Sequence, residues 1–184
     1  MTYRRTSAAT AVLLGLVLSG CQSAAGPLTV ESPPAAVPSP SSSELTAIIQ
    51  TAVEDRNGTV LDTPPAPRLT EGQATAAYLA KRARDLPVVA RSKAAFKSTG
   101  FWYTDFSTKI TVESVKMTGS TASVHFKELT EEHQASAANG PSNVPSGYSV
   151  PQTATFRAAA DGWQLDSIAP SVHGGGLPMS IVED

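Results

Sequence analysis

The chain has 184 residues, with 14 basic against 16 acidic side chains and one cysteine. The mildly acidic balance argues against nucleic acid as a partner. A lone cysteine excludes an internal disulfide and any cysteine-rich metal site. The span 44–170 suits one small domain, which can bury about two-thirds of its unfolded surface.

Residues 1–20 read as a secretory signal: Arg4 and Arg5 give the positive start, and residues 8–18 form an apolar run ending in small residues. That run is too short to cross a bilayer core of ~30 Å as a helix. Leu18-Ser19-Gly20-Cys21 resembles the lipobox of bacterial lipoproteins, in which the cysteine thiol takes a diacylglycerol and becomes the new N-terminus. An ordinary cleavable signal with a chance cysteine is the alternative. Tyr3-Arg4-Arg5-Thr6 lacks the apolar residues that follow a twin-arginine pair, so general secretion is expected. Lipid on Cys21 would consume the only thiol. Loss of Arg4 and Arg5 would take the basic residues from 14 to 12 against 16 acidic ones, a net charge of −4. Attachment to a membrane would then rest on acyl chains, of which two or more are needed for stable anchoring.

Residues 21–43 are Ser, Ala, Pro and Gly with little charge, a composition that predicts a disordered tether. A second Pro-bearing stretch covers 57–68, and 171–184, with Gly174-Gly175-Gly176, reads as a flexible tail. The domain is placed at 44–170. Ser41-x-x-Glu44 predicts a capping box, followed by Leu45, Ile48, Ile49 and Val53 on one helical stripe, with Asn57-Gly58 as the stop. Thr70-x-x-Gln73 repeats the capping signature before an alanine-rich helix to Leu86, with Ala76, Leu79, Ala80 and Ala83 apolar. Pro87 breaks that helix or starts the next turn. A third helical piece runs to about Lys97 and Gly100 closes it.

After Gly100 the period changes to two. Ile110 and Val112 alternate, but Val115 and Met117 fall in the opposite phase, which a bulge near Glu113 or Ser114 explains, as does a strand apolar on both faces. Thr118-Gly119-Ser120 predicts a turn into a strand with Ala122, Val124 and Phe126 on one face. Asp161-Gly162 predicts a hairpin turn joining an Ala154/Phe156/Ala158 strand to Trp163-Gln164-Leu165. The fold class is therefore α+β: N-terminal helices packed on a curved antiparallel sheet of about four strands.

Residues 103–131 and 140–170 resemble the region that precedes the catalytic module in actinobacterial amidase-domain proteins, a region similar to nuclear transport factor 2-like or cystatin-like domains. The shared pattern is Tyr103, Thr111-Val112, Val115, Gly119, Thr121-Ala122 and Val124, then Glu128, Thr130, Tyr148, Phe156-Arg157 and Gly162-Trp163-Leu165. The resemblance implies helices wrapped by a curved sheet. An amidase module would follow the Trp163 strand with its own catalytic cysteine, and the sequence ends at Asp184. The accessory domain without the amidase is what the likeness implies.

Candidate chemistry is sparse. His125 alternates onto the polar strand face, Glu131-Glu132-His133 sits in an expected polar loop without a second ligand cluster, and His173 falls in the glycine-rich tail. No serine-nucleophile motif or phosphate loop is present, and no metal or cofactor is expected. Asn57-Gly58-Thr59 fits an N-glycosylation pattern, which carries little meaning in a bacterial lipoprotein. Phe101-Trp102-Tyr103 is dense for a chain with 6% aromatics, so Trp102, Tyr103 and Tyr148 are candidates to line a pocket between helices and sheet, with plain core packing as the alternative. The expected function is a lipid-anchored domain at the extracytoplasmic face of the cell membrane, non-catalytic, binding a small ligand or an envelope protein. The alternatives are a small nuclear transport factor 2-like enzyme using Tyr103, Asp105 or Asp166 in its cavity, and a structural or regulatory partner of an envelope enzyme.

Overall fold

A computed structural model describes residues 38–172 and 176–183. The expected signal at 1–20, Cys21, most of the tether and His173 lie outside the described residues.

Helix α1 (Ser42–Asn57) starts where the Ser41 side chain accepts the Glu44 backbone N–H at 3.1 Å. Its stripe of Leu45, Ile48, Ile49 and Val53 is fully buried, as the helical spacing predicts. The ordered chain reaches back before Glu44, because the Pro38 carbonyl accepts the Trp163 indole N–H at 2.8 Å. After α1 comes a 3₁₀ turn (Gly58–Val60), entered through a glycine for lack of room: a Cβ on Gly58 would meet Pro65 Cγ at 2.9 Å.

The Thr70/Gln73 capping box forms, but it caps a short 3₁₀ turn (Glu71–Gln73). The long helix α2 (Ala76–Ser98) is capped instead by Thr75, whose hydroxyl accepts the Tyr78 N–H at 3.2 Å. Helix α2 runs unbroken through Pro87, so the two expected helical pieces are one. Proline removes one i→i−4 bond, and both Pro87 and Ala83, four residues before it, are exposed to water. Anchors on either side hold the rod: Tyr78 and Val89 are buried, and Phe96 packs on Phe101 and Tyr103. The buried face is thus Tyr78, Asp85 and Val89, while Ala76, Ala80 and Ala83 look outward.

The rest is one curved, open antiparallel sheet. Its strands are β1 (Phe101–Thr118), β2 (Thr121–Ser136), β3 (Gly140–Pro141), β4 (Ser146–Ala159) and β5 (Gly162–Pro170), with β1-β2-β4-β5 in order and β3 beside β2. The class is α+β, with two α-helices among the described residues. The connector between the helices touches both sheet edges, through bridges from Leu61 to Tyr103 on β1 and from Ala74 to Leu165 on β5.

The phase change in β1 is a bulge. Register shifts between Val112 and Ser114, so Val112 opposes Phe126 and Val115 opposes Val124 on the same concave face. The β4–β5 hairpin pairs Ala159 with Gly162, which puts Ala160 and Asp161 at the turn centre, one residue before the expected Asp161-Gly162. Gly162 sits at φ +137, so the glycine is still required where the turn enters the strand.

The tail expectation needs correction as well. Residues 176–183 fold back onto the domain, and Ser180 is 1% exposed.

Candidate functional site

The inner face of β2 changes character along its length. Ala122, Val124 and Phe126 are apolar and buried, and the next residues in phase, Glu128, Thr130 and Glu132, are buried too. A strand with a polar inner column reads as a loop by hydropathy, which is why 131–136 were not expected in β2. Both carboxylates enter the interior between α1 and the sheet.

Glu128 is 0% exposed and its two oxygens receive five side-chain donors. Oε1 accepts from Asn57 Nδ2 at 2.8 Å, Thr130 Oγ1 at 2.9 Å and Tyr148 OH at 3.1 Å. Oε2 accepts from the Arg56 guanidinium and from the Gln152 amide. Arg56 also donates to Gln152 Oε1 at 3.0 Å, and Asn57 Nδ2 to Thr108 Oγ1 at 3.0 Å. The last turn of α1 therefore delivers Arg56 and Asn57, β1 delivers Thr108, β2 delivers Glu128 and Thr130, and β4 delivers Tyr148 and Gln152. Every buried polar side-chain atom among the described residues has a partner.

Burial alone would raise the Glu128 pKa, but the Arg56 charge and the donors from Asn57, Arg56 and Thr130 outweigh it and hold the acid below its ordinary value. Glu128 stays a carboxylate. Glu132 goes the other way. Burial, then the neighbouring Glu128 charge, raises its pKa, and the hydrogen bond from Tyr103 only partly offsets them. Burial and Glu128 likewise push the Tyr148 phenol up, so it remains a donor.

The three aromatic candidates separate. Tyr148 belongs to the Glu128 network. Tyr103 shares the concave face with Phe96 at 5.1 Å between ring centroids and hydrogen-bonds Glu132. Trp102 opposes Ala135 one residue out of phase with Phe101 and Tyr103, so it lies on the outer sheet face and lines no space under the helices. Asp105 and Asp166 do not join Tyr103 in a cavity. Asp105 is exposed and accepts its neighbour Phe106 N–H at 2.8 Å. Asp166 lies on β5, three strand spacings from β1 or roughly 14 Å, and pairs with Arg157 at 2.9 Å and Thr75 at 3.0 Å.

His125 is exposed on the outer face, 3.0 Å from Thr153 Oγ1. Glu131 and His133 alternate away from Glu132 along β2, and no His/Cys/Asp/Glu cluster among the described residues is placed to hold a metal ion.

An apolar cleft of about 220 Å³ opens between α1, α2 and the proline-bearing connector, walled by Ala52, Leu69, Tyr78, Leu79, Ala83 and Leu86. Asp55 fixes the connector wall by accepting the backbone N–H groups of Arg68 and Leu69, each at 2.8 Å. Leu86 remains 46% exposed at the opening. Sequence reasoning missed this cleft because its wall depends on how 65–69 fold back over α1. Sequence reasoning also misses Arg56 and Gln152, and it reads Asn57 only as a helix stop and Glu132 as part of a polar loop, for a related reason: their signal is polarity at positions in phase with a buried face.

No family model matches the chain, and no curated protein matches it. Among solved structures the intermembrane space region of the chloroplast protein ARC6 is similar at TM-score 0.42 and 15% identity, covering 72% of this chain and 98% of that one. No helix among the described residues is long and apolar enough to cross a membrane.

Proposed function

We propose that this chain is a lipid-anchored domain on the extracytoplasmic face of a cell membrane, with a nuclear transport factor 2-like or cystatin-like fold, and that it binds without catalysing a reaction. One observation carries the non-catalytic reading: the polar interior is closed on itself. A general acid or base needs a face open to substrate, and Glu128 spends both oxygens on internal donors. Anchoring is supported by Leu18-Ser19-Gly20-Cys21 behind an apolar run.

Binding is assigned to the apolar cleft between α1 and α2. Its volume of about 220 Å³ lies below the ~300–1,000 Å³ of most small-molecule sites. It suits a compact apolar ligand or, better, one large apolar side chain of an envelope protein, the way an anchor residue fills a pocket at an interface. A photo-cross-linking residue in place of Leu86, in whole cells, tests this. An adduct that disappears when Ala83→Trp fills the cleft is expected, and an adduct indifferent to Ala83→Trp rejects the cleft. The anchor is tested separately with Cys21→Ala, which should release the protein or leave it as precursor. Detergent-requiring attachment of the processed variant contradicts the lipid.

The enzyme reading keeps one supporting observation, the Tyr103–Glu132 pair, whose carboxyl is raised by burial and by Glu128 as a proton-transfer group would be. It needs an opening to solvent beside Glu132, which is 7% exposed.

A further inference from the structure

Residues 177–183 lie as a strap over the end of α1, the first half of α2 and Gln152 of β4. Ile181 N–H donates to the Pro178 carbonyl at 2.9 Å, closing a turn that points Ser180 inward. The Ser180 hydroxyl donates to Asn57 Oδ1 at 2.9 Å, and Lys81 Nζ donates to the Val182 carbonyl at 3.2 Å. Ser180, Ile181 and Val182 also wall a void of about 30 Å³ whose other sides include Arg56, Tyr78 and Gln152. Such a void holds about one water.

Three features set this strap apart from the core. Its docking contacts include a hydroxyl, bonded to Asn57 and Tyr148, and a backbone carbonyl bonded to Lys81, groups that many peptides offer. Its aliphatic residues, Leu177, Ile181 and Val182, stay half-exposed. It also belongs to no strand of the sheet, and Gly176, at φ +105, precedes it. The receiving surface is by contrast rigid: Asn57 is held by Thr108 and Glu128, and Arg56 by Glu128 and Gln152.

From this we infer that the groove formed by the end of α1, α2 and β4 is a peptide-binding site for another protein, and that residues 177–183 are its resident competitor. The occupant would be a peptide turn carrying serine or threonine at its inner corner, followed by aliphatic residues. The hydroxyl reads Asn57 Oδ1 and a carbonyl two residues later reads Lys81. A strap joined to its own groove acts at an effective concentration of about millimolar. A partner segment in trans would therefore bind weakly until the strap lifts, which makes the strap autoinhibitory. The inference is independent of the apolar cleft and stands whether or not that cleft is used.

The test uses the full chain and the capped hexapeptide Leu-Pro-Met-Ser-Ile-Val, the sequence of residues 177–182. Ser180→Asp puts a carboxylate against the Asn57 acceptor and near Glu128, which should expel the strap. Calorimetric titration should show Ser180→Asp binding the peptide at least ~10-fold more tightly than wild type, a difference of about 1.4 kcal/mol. The same peptide with alanine for serine should bind more weakly. A folded Ser180→Asp chain that ignores the peptide, or binds it no better than wild type, overturns the proposal. Hydrogen exchange on the wild-type chain decides the matter even if Ser180→Asp does not fold. Amides of 177–183 should exchange at least ~10-fold faster than those of β4, because the strap opens locally. Exchange of the strap only with the whole sheet would make it core and end the idea.

Discussion

Arg56→Met removes one half of a deeply buried ion pair. The side chains of Arg56 and Glu128 are 8% and 0% exposed, so neither charge has water to fall back on. After the substitution Glu128 keeps its neutral donors from Asn57, Gln152, Thr130 and Tyr148 but loses its countercharge, and Gln152 Oε1 loses its donor at 3.0 Å. Breaking a buried pair from one side typically costs ~3–5 kcal/mol. At this size that corresponds to a fall of roughly 10–15 °C in Tm. Arg68→Met is the matched control. Its partners Glu54 and Asp55 are half-buried, but Arg68 itself is 58% exposed, so water screens the pair and the loss should come to about 1 kcal/mol.

The same pair predicts a pH dependence. In the wild type the folded Glu128 pKa is lowered from 4.5, so its stabilisation is present above the unfolded value and is lost as pH falls through the folded one. In Arg56→Met the uncompensated carboxyl should shift up instead and take a proton on acidification, which relieves the variant. The gap between wild type and variant should therefore narrow from pH 7 to pH 4 in urea melts followed by circular dichroism. A cost below ~1 kcal/mol, or one that does not change with pH, would refute the reasoning.

Three further outcomes are expected. Glu132→Gln should stabilise the domain at pH 7 and make little difference below the ordinary carboxyl pKa of 4.5, because the folded Glu132 pKa is raised and the native state loses stability as pH climbs through that window; a variant less stable at pH 7 contradicts this. Trp163→Ala should cost ~3–5 kcal/mol, since Trp163 is buried and bonds Pro38, while Trp102→Ala on the outer face should cost far less; equal losses in Tm would put Trp102 in the core. Gly162→Val should cost ~1–2 kcal/mol from backbone conformation alone, because φ is +137 and nothing lies within 4 Å of the added Cβ; an unchanged Tm would mean the β4–β5 turn is misplaced.

Apolar periodicity made much of the frame legible. The Leu45–Val53 stripe, the β1 bulge, the turn at Gly119 and the inward faces of β2 and β4 all follow from spacing, because burying an apolar face is the dominant favourable term in folding. Errors gathered where another term won. Alanines on α2 suggested a buried face, but Tyr78 and Val89 bury more area from the other side of the helix. Pro87 suggested a break, yet its lost hydrogen bond falls on an exposed surface between two anchored halves. The strap reads as part of a flexible tail because Gly174-Gly175-Gly176 precede it, whereas one hydroxyl at Ser180 finds an acceptor inside.

The site was less legible for a different reason. A charge can be buried only with its partners, and here the partners of Glu128 come from residues 56–57, 130, 148 and 152, which no local pattern connects. Such a network fixes shape. Each donor that holds Glu128 in place also uses up an oxygen that could have met a substrate, and the rigidity gained fixes Arg56 and Asn57 as the floor of the strap groove. Two surfaces border the network: the apolar walls of the α1–α2 cleft, with Leu86 exposed at its opening, and the groove that a short peptide turn already occupies. The cleft offers mainly apolar contact area edged by Asp55 and Arg82, and the groove offers an amide acceptor and an ammonium donor set against Arg56 and Tyr78.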